Sequence, residues 1–328
     1  MRIFRHYTGV AEAARNAVVA LGNFDGVHRG HQQVIGTAAA AARAAGAPLA
    51  VLTFEPHPRR FFRPDEPPFQ LTPLRSKVRY VRSLGVDAMF IFPFDHELSQ
   101  KPADQFVADV LVNGIRARHL VVGYDFVFGK GRTGDVAMLR AAAARDGFGL
   151  TSVEPVRVAS GEVYSSTNIR RALVEGKPAA AAQLLGRCWE IEGRVEKGQQ
   201  RGRTIGFPTA NVPLDEYIQP ALGVYAVWAG VEKGGDTEWH MGVANIGWRP
   251  TFEGNFVNVE VYLFDYADDL YGQMLRVALV EHVRPEKKFD GIAALRDQIA
   301  QDCNAARTLL EGIGEDGLLS PPRRACMI

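Results

Sequence analysis

The sequence predicts an α/β unit built on a parallel sheet, followed by an antiparallel β-rich unit that ends in a helix. Three observations predict it. In the first half, apolar runs alternate with helix-like stretches, the order expected of strands buried on both faces beneath crossover helices. After residues 181–186 the Ala tracts stop, and closely spaced alternating runs follow with Gly-rich turns and no helices between them. That pattern reads as an antiparallel barrel or sandwich. Last, residues 292–310 repeat apolar positions at helical spacing: Leu295, Ile299, Ala306, Leu309 and Leu310. The expected organisation is a first domain over 1–186, a second over 187–312 and a poorly ordered tail over 313–328.

In the first half, Ala17–Leu21, Leu49–Phe54, Ala88–Phe94, His119–Val122 and Leu150–Val158 read as strands. His31–Ala45, Leu74–Leu84, Ala103–Leu111 and Asp135–Arg145 read as the helices between them. Arg59–Pro68, rich in Arg, Phe and Pro, reads as a mobile lid, and Asp95–Lys101 as a loop. In the second half, Cys188–Glu196 alternates closely, with Trp189, Ile191 and Val195 on one side and Glu190, Glu192 and Glu196 on the other. It reads as a half-buried strand. Val224–Ala229, His240–Ile246, Asn258–Phe264 and Leu275–Glu281 follow as further strands.

Bulk properties exclude several classes. The formal net charge of the 328 residues is +1, which gives no electrostatic case for nucleic acid. The three cysteines, Cys188, Cys303 and Cys326, fit neither a zinc site nor a disulfide framework, and their odd number suits a reducing compartment. The first ten residues lack a signal-peptide core, and the long Ala tracts are broken by Arg43 and Arg145, so no membrane span is expected. A cytoplasmic protein is the default reading. A homo-oligomer is compatible with it, and the sequence does not decide the oligomeric state.

The chemistry concentrates in a few segments. Gly22-Asn23-Phe24-Asp25-Gly26-Val27-His28-Arg29-Gly30-His31 lies between the Ala17–Leu21 strand and the following helix. Its glycines let backbone approach a ligand. His28 and His31, three apart, share one side of a first helical turn, where unpaired N–H groups and the helix dipole favour an anion such as a phosphate. Open sheets bind ligands beyond their C-terminal strand ends. Segments 53–58 and Gly123-Tyr124-Asp125-Phe126 reach the same rim. Gly129-Lys130-Gly131-Arg132-Thr133-Gly134 matches a dinucleotide string but follows the fourth strand. It is a weak signal there, and an ordinary exposed loop accounts for it equally well. Ser165-Ser166-Thr167-Asn168-Ile169-Arg170 reads as a capped helix start whose Arg170 is unfavourable to the dipole unless an anion is present. In the second half, Thr209 and Asn211 offer oxygen ligands suited to Mg²⁺ and phosphate, or serve only their own backbone. Alternation puts Glu260 beside Tyr262 and Phe264 on a strand with apolar groups on both faces. A carboxylate there is either a paired rim residue or a group that orients and deprotonates a hydroxyl.

These segments, in this order, resemble the bacterial bifunctional riboflavin kinase/FAD synthetase (FMN adenylyltransferase) family over roughly residues 15–310. The resemblance is carried by Gly22–His31, Ser165–Arg170, Gly206-Phe207-Pro208-Thr209-Ala210-Asn211 and Asn245-Ile246-Gly247-Trp248-Arg249-Pro250-Thr251. It implies a nucleotidyltransferase domain followed by a six-stranded β-barrel flavokinase domain. It implies two reactions, riboflavin plus ATP to FMN and FMN plus ATP to FAD and pyrophosphate, both supported by Mg²⁺. By the family pattern His28 and His31 contact ATP phosphates, Gly22, Asn23 and Phe24 lie at the nucleotide, and Ser166, Thr167 and Arg170 complete the phosphate site. Asp125 belongs to the same rim. Thr209 is the Mg²⁺ ligand, Asn211 and Arg249 bind ligand, and Glu260 is the catalytic base. Val127 departs from the pattern, where a basic residue is expected. Two rival readings are adenylyl or cytidylyl transfer to another metabolite, which leaves the second half idle, and a flavin- or nucleotide-binding protein without turnover.

Overall fold

The computed structural model describes residues 1–157, 161, 163–198, 202, 205–251, 254–314 and 317–322, without the side chains of 249–251 and 254–256. Among the described residues the chain forms two compact units, one from residues 1–67 and 72–164, the other from 68–71 and 165–322.

The first unit contains β1 (Arg2–Phe4), β2 (Val18–Leu21), α1 (Arg29–Ala45), β3 (Leu49–Glu55), α2 (Pro58–Phe62), α3 (Leu74–Ser83), β4 (Ala88–Pro93) and α4 (His96–Gln100). It continues with α5 (Ala103–Gln105), which runs into a π-helix over Phe106–Gly114, then β5 (His119–Gly123), α6 (Val136–Asp146) and β6 (Gly149–Val153). All six strands are parallel, in the order β1-β4-β3-β2-β5-β6. Strand residues alternate between two apolar clusters. Val18, Ala20 and Val51 pack with Val34, Ile35 and Ala38 of α1 and Val81 of α3. Val19, Leu21 and Leu52 pack with Phe106, Val107 and Val110 of the π-helix and Leu139 of α6. Burial on both faces explains the near-continuous apolar strands of the sequence. The chain builds outward from β2 in one direction through β3 and β4 and in the other through β5 and β6. The switch point, where open α/β sheets hold ligands, therefore lies at the C-terminal end of β2.

Three segments differ from expectation. β1 is an additional edge strand of three residues, too short to show periodicity. Asp95–Lys101 is not a loop: Asp95 caps α4 by accepting the Leu98 N–H at 2.9 Å. Within the expected lid, α2 is tied to its following turn. Arg59 and Arg63 each pair with Glu66 at 2.8 Å, and Arg60 donates to the Pro64 carbonyl at 3.0 Å.

The second unit contains α7 (Ser166–Val174), α8 (Pro178–Leu185), β7 (Trp189–Arg194), β8 (Ala210–Pro213), β9 (Gly223–Lys233), β10 (Asp236–Thr251), β11 (Gly254–Leu263), β12 (Met274–Arg284) and α9 (Ile292–Glu311). Its antiparallel sheet has the order β7-β12-β9-β10-β11-β8. Its two edges meet just beyond β7, where Glu196 bridges Asn211 and donates its N–H to the Asn211 carbonyl at 2.9 Å. Val259, Val261 and Leu263 point into the buried side of this curled sheet. The opposite side is partly covered by α9, whose Ala306 and Leu310 pack with Val224, Ala226 and Phe264. β7 is buried on both faces rather than one. Glu190 on the expected polar side is fully covered, and Arg276 donates to it at 2.8 Å. Part of the expected tail is docked: the Trp228 indole donates to the Leu319 carbonyl at 2.8 Å, and Ser320 is buried.

The end of β12 is fastened to α9 by Arg284, which donates twice to buried Asp302, at 2.8 and 2.7 Å. Asp302→Ala strands this guanidinium, and removing one partner of such a pair costs about 3 kcal/mol. Thermal unfolding of the variant is expected to begin at lower temperature, with loss of the α9 contacts first.

Candidate active site

The turn after β2 is strained and heavily fastened. Phe24, Gly26 and Val27 have φ of 50°, 90° and 42°. For Val27 this left-handed conformation is unfavourable because its branched Cβ crowds the backbone. Buried side chains hold it. Gly26 donates its N–H to Thr72 Oγ1 at 2.8 Å, and Thr72 donates its own N–H to Asp25 Oδ1 at 2.9 Å. Thr53 Oγ1 donates to the Asn23 carbonyl at 3.1 Å, and Gln32 Nε2 to the Val27 carbonyl at 2.9 Å. Asp25, Thr53 and Thr72 are all buried.

This turn delivers His28 as the N-cap of α1. His28 Nδ1 accepts the His31 N–H at 3.3 Å, so the neutral ring carries its proton on Nε2, the outer donor. The His31 ring stacks on it, with centroids 3.6 Å apart and planes 19° apart, and Phe24 meets His31 edge-on at 5.3 Å. Gly30 makes the stack fit: a Cβ there would stand 3.1 Å from the His28 ring and 3.2 Å from the Tyr164 carbonyl oxygen. Gly22 N–H donates to the Leu52 carbonyl at 3.1 Å, and Asn23 is exposed. Asp125 is exposed in the turn after β5, the strand beside β2. The structure thus gathers Gly22, Asn23, Phe24, His28 and His31 at the switch point.

An aromatic group on this rim was not picked out from the sequence. Phe54 ends β3, Phe94 follows β4, and Phe61 and Phe62 end α2. Phe94 lies 5.9, 5.4 and 5.7 Å from the Phe54, Phe61 and Phe62 rings, each near-perpendicular. Phe62 is 60% exposed. The readable signal was an adjacent Phe pair between two strand ends that each carry Phe. The Gly129–Gly134 string plays a different part from a dinucleotide turn. Phe128 and Gly134 bridge each other, and a Cβ on Gly129 or Gly134 would collide with Ala103.

In the second unit, Ser165 caps α7 by accepting the Asn168 N–H at 3.2 Å. Ser166 and Thr167 open the helix. Arg170 is one turn in and donates from Nε to the Phe69 carbonyl at 2.8 Å, its guanidinium 5.4 Å from the Phe69 ring.

The polar row of the sheet comes from register. Asn211 of β8 lies opposite Glu260 of β11, and Glu260 lies opposite Asn245 of β10. Residues directly opposite share a face, so Asn211, Glu260 and Asn245 form one line across three strands. Buried Asn258 donates from Nδ2 to Asn211 Oδ1 at 2.8 Å, which fixes that amide. Thr209 is half-buried just before β8, behind a turn closed by the Phe207 N–H donating to the Gly202 carbonyl at 2.8 Å. Tyr262, two residues on from Glu260, meets Phe207 edge-on at 5.5 Å, and burial raises its phenol pKa. Trp248 is 54% exposed. Arg249 continues β10 opposite Phe256, and its side chain lies outside the described residues. Among the described residues no group of three His, Cys, Asp or Glu side chains could hold a metal. The row offers a hydroxyl, amides and one carboxylate. This hard-oxygen set suits Mg²⁺ that takes most of its ligands from phosphate.

Residues 10–168 match the family model described as FAD synthetase, and residues 185–310 match the one described as riboflavin kinase. The two units therefore define a two-module transferase of phosphate-bearing groups. The chain belongs to the bifunctional riboflavin kinase/FMN adenylyltransferase family. It is 42% identical over 309 residues to the Escherichia coli K12 member, covering 94% of this chain and 97% of that one. It is 40% identical over 299 residues to the Bacillus subtilis member, covering 89% and 92%. A Streptococcus pneumoniae crystal structure described as a macrolide-efflux protein superposes with a TM-score of 0.80 at 31% identity, covering 93% of this chain and 98% of that one. No described helix of this chain is long and apolar enough to cross a membrane.

The Asp25–Thr72 staple predicts a graded effect on FAD formation. Thr72→Val removes the hydroxyl that accepts the Gly26 N–H and keeps the backbone bond to Asp25, and it is expected to lower the rate of FMN adenylylation about ten-fold, the scale of a lost buried hydrogen bond. Thr72→Ser is expected to retain most of it. FMN formation by the other module, measured on the same samples, reports that the variants are folded.

Proposed function

We propose that the chain runs the family's two reactions on two separate polar clusters. The chain phosphorylates riboflavin with ATP to give FMN, then adenylylates FMN with a second ATP to give FAD and pyrophosphate. The observation that carries this reading is the presence of two separate phosphate-suited constellations. One is the stacked His28–His31 pair at the N-terminus of α1; the other is the Asn211–Glu260–Asn245 row beside Thr209.

In adenylylation, an FMN phosphate oxygen attacks the α-phosphorus of ATP, and the bond to the β-phosphate bridging oxygen breaks. The attacking oxygen is already anionic, so the protein's task is positioning and charge stabilisation. His28 donates from Nε2 and His31 beside it to phosphate oxygens, while the N-terminus of α1 adds its helix dipole. Gly22, Asn23 and Phe24 line the nucleotide's approach, with Asp125 on the neighbouring strand end. Ser166, Thr167 and Arg170 supply hydroxyls and a cation suited to the ATP phosphates. The rim aromatics, led by exposed Phe62, give the isoalloxazine ring a face to stack on.

In phosphorylation, the ribityl primary hydroxyl is a weak nucleophile. Glu260 orients it and takes its proton as the oxygen bonds to the γ-phosphorus and ADP departs. Thr209 and Asn211 hold the Mg²⁺–ATP end, and Arg249 binds ligand nearby. Mg²⁺, when bound, neutralises charge on the transferring phosphoryl group.

Incubation with riboflavin, ATP and Mg²⁺, followed by separation of the flavins, tests the whole reading: FMN and then FAD are expected, and unchanged riboflavin would refute it. His28→Ala is expected to abolish FAD while FMN formation stays near normal. Glu260→Gln is expected to slow FMN formation by about 10²- to 10⁴-fold, the usual range for a lost general base, while FAD still forms from supplied FMN. Loss of both activities in either folded variant would contradict separate sites.

A further inference from the structure

The mechanism above assigns no cation to the attacking phosphate of FMN, yet the first unit buries one at the same rim. Lys77 of α3 is 1% exposed and is among the largest fully buried side chains. Lysine is almost never buried this far unless its charge is answered. Glu55, the last residue of β3, is its ionic neighbour, and at 3.9 Å the pair is too long for a hydrogen bond. Among the described residues no hydrogen bond holds the ammonium. An ammonium has three donors, so this loose contact leaves its hydrogen-bonding capacity for a second anion.

The packing of α3 sets where the charge stands. Lys77 and Val81 are four apart and share the buried face of the helix, and Val81 belongs to the cluster of Val51 and Ile35. Val51, Thr53 and Glu55 alternate onto one side of the sheet: Val51 joins that cluster, Thr53 bonds the Asn23 carbonyl, and Glu55 meets Lys77. The ammonium therefore stands over the C-terminal end of β3 on the side of α1. Glu55 keeps 21% of its side chain exposed, so the pair reaches the rim. β2, whose following turn delivers His28, is the neighbouring strand, about 5 Å away. α3 itself starts two residues after Thr72, which is bonded to that turn. On the other flank Phe54 adjoins Glu55 and belongs with Phe61, Phe62 and Phe94. The end of β3 thus lies between the imidazoles and the rim aromatics. A phosphate tethered to a ring on those aromatics reaches ATP at the imidazoles by way of this point. Both reactants are anionic, and a cation between them offsets their repulsion.

Resting on the adenylylation reading above, we propose that Lys77 is a further catalytic residue of that site, its ammonium binding the attacking phosphate of FMN while Glu55 holds it in place until that phosphate arrives. Riboflavin, which has no phosphate, gains nothing from it.

The test uses the full chain and follows FAD formation with FMN and ATP varied separately. Lys77→Met keeps the apolar stem and removes the charge. It is expected to raise KM for FMN about 10- to 100-fold, the scale of a lost hydrogen bond between charged groups, and to leave KM for ATP within about two-fold. A second variant carries the same test should this one fold poorly. Lys77→Met combined with Glu55→Gln removes both charges, and replacing both members of a buried pair is often harmless to stability. The double variant is expected to keep the raised KM for FMN. A lysine present only to neutralise Glu55 would be dispensable once Glu55 is gone, so a wild-type KM for FMN in the double variant would overturn the proposal. An unchanged KM for FMN in Lys77→Met, or an equal rise in KM for ATP, would overturn it too. Phosphorylation of riboflavin by the same samples reports folding. Should His28→Ala still form FAD, the adenylylation reading itself fails. A silent Lys77→Met beside an inactive His28→Ala rejects this inference alone.

Discussion

Burial of β2 on both faces at the switch point is the constraint on which the first unit turns. A strand with no exposed face has no freedom in register, so the backbone leaves the sheet at Gly22 in a fixed place and direction. It must then reverse into α1 within a few residues, and it does so through left-handed backbone at Phe24, Gly26 and Val27. That conformation would relax without the buried Asp25–Thr72–Gly26 bonds. The imidazoles are therefore held from below by polar groups that need not touch a ligand themselves. His28 closes the arrangement by capping the helix it begins. One ring both satisfies an orphan N–H of α1 and has its proton placed on the nitrogen away from the helix.

The second unit meets a different constraint with the same economy of parts. A curled antiparallel sheet has one side filled by its own core, here Val259, Val261 and Leu263. Functional groups must come from the alternate residues, and strand pairing aligns them. Glu260 gains Asn211 and Asn245 as neighbours because β8 and β10 pair with β11 in fixed register. A one-residue slip of either strand would send these amides to the opposite side. α9 covers only part of that side, which leaves the row accessible.

Much of this was legible because it is local. Strands of four or more apolar residues and helices of ten or more declared themselves by periodicity. The Gly22–His31 turn declared itself by its place between strand and helix, and His28, His31, Thr209, Asn211 and Glu260 stood out as candidates by residue type and motif. What escaped was short or distant. β1 has three residues and β8 four, the latter bounded by Pro208 and Pro213, which disguised both as loop. The polar face assigned to β7 was misread because nothing local reveals that Arg276, 86 residues away, covers Glu190. Asp25 and Thr72 are 47 residues apart, and their bond joins a motif to a segment with no motif. The aromatic group at Phe62 likewise draws on three separate segments.

Glycine at a site is commonly read as freedom of backbone, but here it also works by absence. At Gly30 the backbone is helical, and what matters is that no Cβ crowds the His28 ring. At Gly247 the backbone is a regular strand, and the vacancy is filled by the end of Glu286. Neither position requires left-handed torsions, so an alanine could adopt either conformation, and what it would meet is another residue: the His28 ring at Gly30 and the end of Glu286 at Gly247. In both units, then, polar side-chain atoms sit where the main chain lacks a Cβ, at Gly30 and at Gly247. A motif glycine in a helix or strand interior, where propensity disfavours it, marks the spot where another residue's polar end is seated.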